Sequence, residues 1–218
     1  MIKLRAYAGA ALLTLMSFGW SAAAENTELL SDEPLIQALR AGGLNVYFRH
    51  ARTNWSQSDQ IAQPEDWTSC DPSRVRQLSD EGREQARQIG EAIRALGIPV
   101  GEIVASPYCR TVETAREMGL GKVEPSTDII NLRVARFFGG QASVVATARA
   151  RLAQAPPEGT NRILVAHGNV ARESTPVYPS EAEGVIFQPD GRGGFKVLGR
   201  LTPDQWTELA KTYAQAKP

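Results

Sequence analysis

Histidine and cysteine are scarce in this 218-residue chain, which has two of each. Two histidines are too few for an imidazole-built metal centre, and no cluster of His, Asp and Glu with metal-ligand spacing adds to them. No metal or other cofactor is therefore expected. Two cysteines cannot make a disulfide scaffold and leave room for one bridge. Charge of one sign is also lacking, because 24 Lys+Arg balance 24 Asp+Glu. Such a balance gives no electrostatic footprint for nucleic acid or an anionic membrane face. Internal repeats and low-complexity linkers are absent, and no long apolar run follows Trp20.

What comes before Trp20 has the order of a secretory signal. Met1 to Arg5 carries Lys3 and Arg5, Ala6 to Trp20 is apolar, and Ala22 and Ala24 are small exit residues. The pattern predicts a signal peptide over residues 1–24, cut after Ala24, and one domain over 25–218. The apolar run is shorter than the ~20 residues that a bilayer span needs. No cysteine follows the cut to accept a lipid. The expected product is periplasmic, with no stable membrane insertion. Cleavage removes Lys3 and Arg5 from the 24 basic residues and leaves 22 against 24 acidic ones. In an oxidising compartment Cys70 and Cys109 become candidates for one disulfide. That bridge would tie the stretch 51–76 to the segment after Pro107.

Strand-like and helix-like segments alternate along the rest. "SDEPLIQALRAGG" has early acids, Pro34 and two closing glycines, the punctuation of a helix. "LNVYFR" is short, apolar and β-rich, so it reads as a buried strand. Residues 51–76 are polar and irregular. "SDEGREQARQIGEAIRALG" is an amphipathic helix capped by Ser79, with Ala86, Ile89, Ile93 and Leu96 on one face. "EIVAS" is a strand, followed by a helix starting at Ser106 and Pro107 and closed by Gly119. "SVVATARARLAQA" predicts a further helix and "NRILVAH" a third buried strand. "GVIFQP" and "FKVLGRL" flank the turn "DGRGG" as a hairpin, and "TPDQWTELAKTYAQA" closes as a capped helix. This alternation predicts an α/β fold, a three-layer sandwich with a mostly parallel central sheet flanked by helices.

In such folds ligands gather beyond the carboxyl ends of strands. His50 follows one apolar strand, His167 another, and Ser106 to Arg110 a third. A strand-end histidine alone is more often structural than catalytic. Here both histidines of the chain sit at such ends, and Arg49 directly precedes one of them. Neutral imidazole is a competent nucleophile near its reference pKa of about 6.5. Attack on a phosphoryl group would give a phosphohistidine and split one hard displacement into two. Arg49 and Arg110 could pair with phosphate oxygens as bidentate forks. Arg110 lies in the first turn of its helix, and a protonated His167 would add a donor.

"FRHARTN", "SPYCRTVETA" and "ILVAHGN", in that order, resemble the histidine phosphatase (phosphoglycerate mutase-like) superfamily. Its Arg-His-Gly signature falls on Arg49, His50 and Ala51, its Ser-Pro segment on Ser106 to Ala115, and its second His-Gly on His167 and Gly168. "LSDEGREQA" is similar to the helix that follows the signature. The resemblance implies a phosphoglycerate mutase-like fold and His50 as phosphoryl acceptor. It places Arg49, Arg110 and His167 around the phosphate, with Asn169 as a ligand contact. It implies a metal-independent phosphomonoesterase acting on a small phosphorylated substrate. The exported chain and its "SEAEGVIFQPDGRGGF" tail look closest to the lipopolysaccharide core heptose phosphatase branch, which would make the substrate an envelope sugar phosphate. A phosphohistidine phosphatase and a non-catalytic phosphate-ligand binder remain the alternatives.

Two positions depart from the family pattern. Ala51 replaces the usual glycine and would be strained at positive φ. The acid that protonates the leaving group is also missing, since Gly168 follows the second histidine and "INLRVARFFGG" has no carboxylate. Glu181 and Glu183 are the substitutes within reach, although a solvated charge at a strand start is the plainer reading of both. "CDPSRVR", Cys70 to Arg76, matches the Cys-x5-Arg signature of cysteine-dependent phosphatases. It has no glycine, no strand leading into it and Asp71 beside the thiol, so a catalytic thiolate is not expected there.

Overall fold

A computed structural model describes residues 29–214. The predicted signal peptide and its cleavage site lie outside these residues. The elements run α1 (Asp32–Ala41), β1 (Asn45–Arg49), α2 (Asp80–Ala95), β2 (Val100–Ala105), α3 (Cys109–Glu117) and β3 (Val123–Pro125). They continue with α4 (Gln141–Ala153), β4 (Asn161–Ala166), α5 (Gly168–Ser174), β5 (Gly184–Pro189), β6 (Phe195–Leu201) and α6 (Pro203–Tyr213). Short 3-10 helices occupy Asp66–Thr68, Thr127–Ile129 and Leu132–Phe137.

The sheet has the order β3-β2-β4-β1-β5-β6. Its first four strands are parallel, and the β5–β6 hairpin adds antiparallel pairs at one edge. Alternation along each central strand assigns the two faces. Val46, Phe48, Ile163 and Val165 pack with α1, α2 and α6 through Leu35, Leu39, Ile89, Ile93 and Trp206. Tyr47, Leu164 and Ala166 point the other way, onto Ala148 and Leu152 of α4 and Val170 and Ala171 of α5. The result is the expected three-layer α/β sandwich. A third cluster of Trp67, Val75, Tyr108, Ile130 and Val134 roofs one end of the sheet.

Local chemistry explains where these elements begin. Ser79 caps α2 by accepting the Gly82 N–H at 3.1 Å. A Cβ on Gly82 would lie 2.1 Å from the Arg52 carbonyl oxygen, so glycine lets α2 abut the chain leaving β1. Thr202 and Gln205 form a capping box on α6. Helix α3 starts later than expected: its cap is Tyr108, and Ser106 lies in the loop before it, engaged elsewhere. Ala51 has ordinary negative φ, because the only non-glycine residues at positive φ among those described are Glu65 and Ala182. The expected strain is therefore absent. Ala51 is fully buried and its N–H donates to Thr114 Oγ1 at 3.1 Å.

Candidate active site

Parallel neighbours bring the histidine-bearing ends together. β1 and β4 pair in register from Asn45↔Arg162 to Arg49↔Ala166, so His50 and His167 leave adjacent strands at one level. The His50 N–H continues the ladder to the Ala166 carbonyl at 2.9 Å, and the Ser106 N–H bonds Val165 O at 2.9 Å. Tyr47, buried behind them, clamps the second turn: its hydroxyl donates to the His167 carbonyl at 2.8 Å and accepts the His167 N–H at 3.1 Å. The imidazole centroids stand 5.6 Å apart.

His50 and His167, both almost fully buried, line one small cavity of about 120 Å³ with Arg49, Arg110 and Asn169. Trp55, Asp59, Arg76, Asn131, Arg133, Gly168 and Tyr178 complete its wall. His50 Nδ1–H donates to the Ala51 carbonyl at 2.9 Å. A carbonyl only accepts, so this bond sets the tautomer and leaves a lone pair on Nε2. His167 Nε2 pairs with Ser106 Oγ at 2.9 Å, and its Nδ1 is buried without a partner. Burial lowers the pKa of each imidazole well below the ordinary value, and the Arg110 guanidinium lowers it further. His167 is thus neutral in the unliganded protein, and a charged donor there requires an incoming anion.

Arg110 is 1% exposed and held by a residue that sequence reasoning missed. Asp59 accepts its Nη1 at 2.9 Å and its Nη2 at 3.1 Å. Nη1 also donates to the Arg76 carbonyl at 3.3 Å, while Nε is buried and unpartnered. The end of the guanidinium is therefore occupied, and its Nε side is the part left for a ligand. Asp59 Oδ1 also accepts the Arg76 N–H at 3.1 Å. Arg133 Nη1 lies 3.6 Å from Asp59 Oδ2. Arg49 donates to Pro179 O at 3.3 Å and lies 3.8 Å from Glu181. Asn169 bonds Asn131 Oδ1 at 2.9 Å, with its own Oδ1 free.

The two substitute acids part company. Glu183 is buried rather than solvated; Arg200 binds both its oxygens at 2.8 and 3.1 Å, and Oε2 accepts the Ser180 N–H. It does not line the cavity. Glu181 accepts Thr53 Oγ1 at 2.7 Å and stands 4.0 Å from His50 Nδ1. That is the side of the ring away from its free nitrogen. A Cβ on Gly168 would meet Tyr178 Cε2 at 2.7 Å, so a side chain there would have to displace that exposed ring. Cys70 and Cys109 form a disulfide with Cα atoms 5.3 Å apart, so the Cys-x5-Arg stretch carries no free thiol. Among the described residues no three metal-ligating side chains gather. A larger hollow of about 660 Å³ beside the disulfide contains the Arg83–Glu113 pair, already satisfied at 2.7 Å.

The family model described as histidine phosphatase superfamily (branch 1) matches residues 46–136, the stretch that carries Arg49, His50 and Arg110. Over that stretch, somewhat under half of its length, the chain is similar to the histidine phosphatase superfamily. Among solved structures it is similar to a mutant phosphoserine phosphatase from Entamoeba histolytica in complex with phosphoserine. Identity is 13% and the TM-score 0.51, over 74% of this chain and 98% of that one. It is also similar to a Mycobacterium tuberculosis open reading frame product, at 19% identity and a TM-score of 0.50 over 74% and 98% of the two chains. A complex of the protein histidine phosphatase SixA with tungstate matches at 14% identity and a TM-score of 0.48, over 74% and 97%. At these identities the first two likenesses show a common fold. No curated protein sequence matches the chain.

Proposed function

We propose that the protein is a metal-independent phosphomonoesterase that works through a phosphohistidine on His50. The observation that carries this reading is the His50 tautomer. Its Nδ1–H is committed to Ala51 O, and Nε2 is free in a cavity it shares with Arg49, Arg110 and His167. In the first step Nε2 attacks phosphorus and the ester P–O bond breaks, with the leaving oxygen taking up a proton. In the second, water attacks the phosphohistidine, its proton goes to solvent or phosphate, and the N–P bond returns its electrons to Nε2. Guanidinium groups neutralise charge on the equatorial oxygens throughout. Among the described residues no helix is long and apolar enough to cross a membrane. With the leader over residues 1–24 this fits a periplasmic enzyme cut after Ala24. Trp55 and Tyr178, 65% and 53% exposed at the cavity mouth, offer aromatic faces to a sugar. They support an envelope sugar phosphate, as in the heptose phosphatase branch.

A second reading, phosphohistidine phosphatase, is favoured by one observation. Asp59 is the sole carboxylate lining the cavity among the described residues, and both its oxygens accept N–H groups. Its oxygens are engaged by Arg76 and Arg110 instead of facing a leaving group alone. A nitrogen-bound or acyl phosphate needs less help in leaving than an alkyl ester. The test is steady-state turnover of an aryl phosphate, a sugar phosphate and a phosphohistidine peptide, with alkaline quench to trap label on protein. His50→Ala should abolish turnover and labelling, and EDTA should leave the wild type unaffected. Full activity in His50→Ala would overturn the mechanism. Neither labelling nor turnover with any of the three would leave a binder.

A further inference from the structure

Arg76 closes the irregular stretch after β1 and is 9% exposed. Its backbone is committed on both sides, N–H to Asp59 and carbonyl to Arg110. Its guanidinium is not: Nε is buried with no partner, and none of the ion pairs among the described residues includes it. The other arginines of the cavity differ in this respect. Arg110 and Arg133 face Asp59, and Arg49 has Pro179 O and Glu181. Arg76 instead sits over the Trp55 ring, with Cζ 3.9 Å from the centroid. Stacking of this kind returns less than burying an unpaired charge costs.

Desolvation and the neighbouring Arg110 charge lower the Arg76 pKa, and the Arg76 charge in turn lowers those of both histidines. The guanidinium therefore acts on the same small space as they do. A cavity of about 120 Å³ has room for one phosphoryl group and little besides. A guanidinium that lines this space with a buried, partnerless Nε is placed to take an anion.

We propose that Arg76 is a third phosphoryl-binding arginine of this site, delivered by the 51–76 loop and held over the Trp55 ring until the phosphoryl group arrives. The assignment rests on the reading that the cavity takes a phosphoryl group. Arg49, Arg76 and Arg110 would then surround its non-bridging oxygens, with Asp59 offsetting one of the three charges.

The test is calorimetric titration of the protein with inorganic phosphate, beside thermal denaturation without it. Arg76→Gln should weaken phosphate binding about 10- to 100-fold, the range for one lost charge-assisted bond or fork. Arg76→Lys keeps the charge without the fork and should fall between. The unliganded Arg76→Gln protein should melt no lower than wild type, because the change removes an unpaired charge; an arginine with a merely structural role would lower the melt. Equal phosphate affinity in wild type and both variants would overturn the proposal, and so would a wild type that binds no phosphate. A wild type that binds phosphate yet turns over no substrate refutes the enzyme reading alone. The affinity ratio then still decides Arg76.

Discussion

The Cys70–Cys109 bridge sets up a perturbation whose size can be worked out. Its sequence separation is 39 residues. Chain-entropy arguments give about 4 kcal/mol for closing a loop of that length in the unfolded state. Cys70 is exposed and Cys109 half-buried, so replacing both by serine opens no cavity that would add to this loss. For a domain of this size about 2–4 °C of melting temperature accompanies each kcal/mol. Cys70→Ser with Cys109→Ser should therefore melt about 8–16 °C below the wild type, and reductant should lower the wild type similarly while leaving the variant unchanged. The site should respond too. Cys109 precedes Arg110, and Cys70 lies in the stretch that supplies Trp55, Asp59 and Arg76. The bridge thus joins the loop half of the cavity to the helix that carries Arg110. Phosphate affinity should fall several-fold on its removal. Differential scanning fluorimetry and phosphate titration, with and without reductant, read both effects. An unchanged melt would refute the entropic argument, and an unchanged affinity would refute the link to the cavity.

Asp59→Ala strands Arg110, 1% exposed, without its carboxylate. Breaking such a pair costs about 3–5 kcal/mol, while phosphate gains a guanidinium with no competing anion. The variant should melt lower than wild type but gain more from added phosphate; a wild-type melt and a wild-type phosphate shift would contradict this. Burial and Arg110 hold both imidazoles below their ordinary pKa, so below about pH 6.5 the unfolded chain binds protons that the folded chain refuses. Stability of the unliganded protein should then fall on acidification through that range and ignore these two groups above it. Replacing both histidines should flatten the acid side of the melting profile between about pH 5 and 6.5, and parallel profiles would rule the cause out.

The central frame was legible because its signals are local. Apolar runs marked β1, β2 and β4, and Ser79, Thr202 and the paired glycines marked helix ends. Strand β3 escaped because three residues, Val123–Pro125, carry no period. Helix α5 follows His167 as Gly-Asn-Val-Ala-Arg-Glu-Ser, too short and too polar for an amphipathic pattern. Arg49, His50, Arg110 and His167 could be grouped because strand ends of one parallel sheet share an edge. Asp59 and Arg76 could not. Their positions depend on the Arg110 fork and the Trp55 ring, pair contacts that no periodicity announces. One signal was available, since Asp59 is the first acid after His50. It became meaningful only once a buried Arg110 needed a partner.

The two halves of this cavity are built by different physics. The strand-end half is fixed by the ladder: His50 N–H to Ala166, Ser106 N–H to Val165, and Tyr47 bracketing His167. These bonds belong to the fold and persist whatever occupies the site. The loop half has no strand, only an isolated β-bridge, Thr53↔Leu78, that joins its own two ends. It is held by the Asp59–Arg110 pair, the Trp67–Tyr108 cluster and the disulfide. An anion reaching the cavity meets the same guanidinium from its unpartnered Nε side, while Asp59 keeps the two Nη groups. The bridge and the apolar cluster are indifferent to charge. They keep the loop seated whatever the charge in the cavity, and the division of Arg110 between its Nη and Nε sides lets an acidic residue share the proposed phosphoryl site.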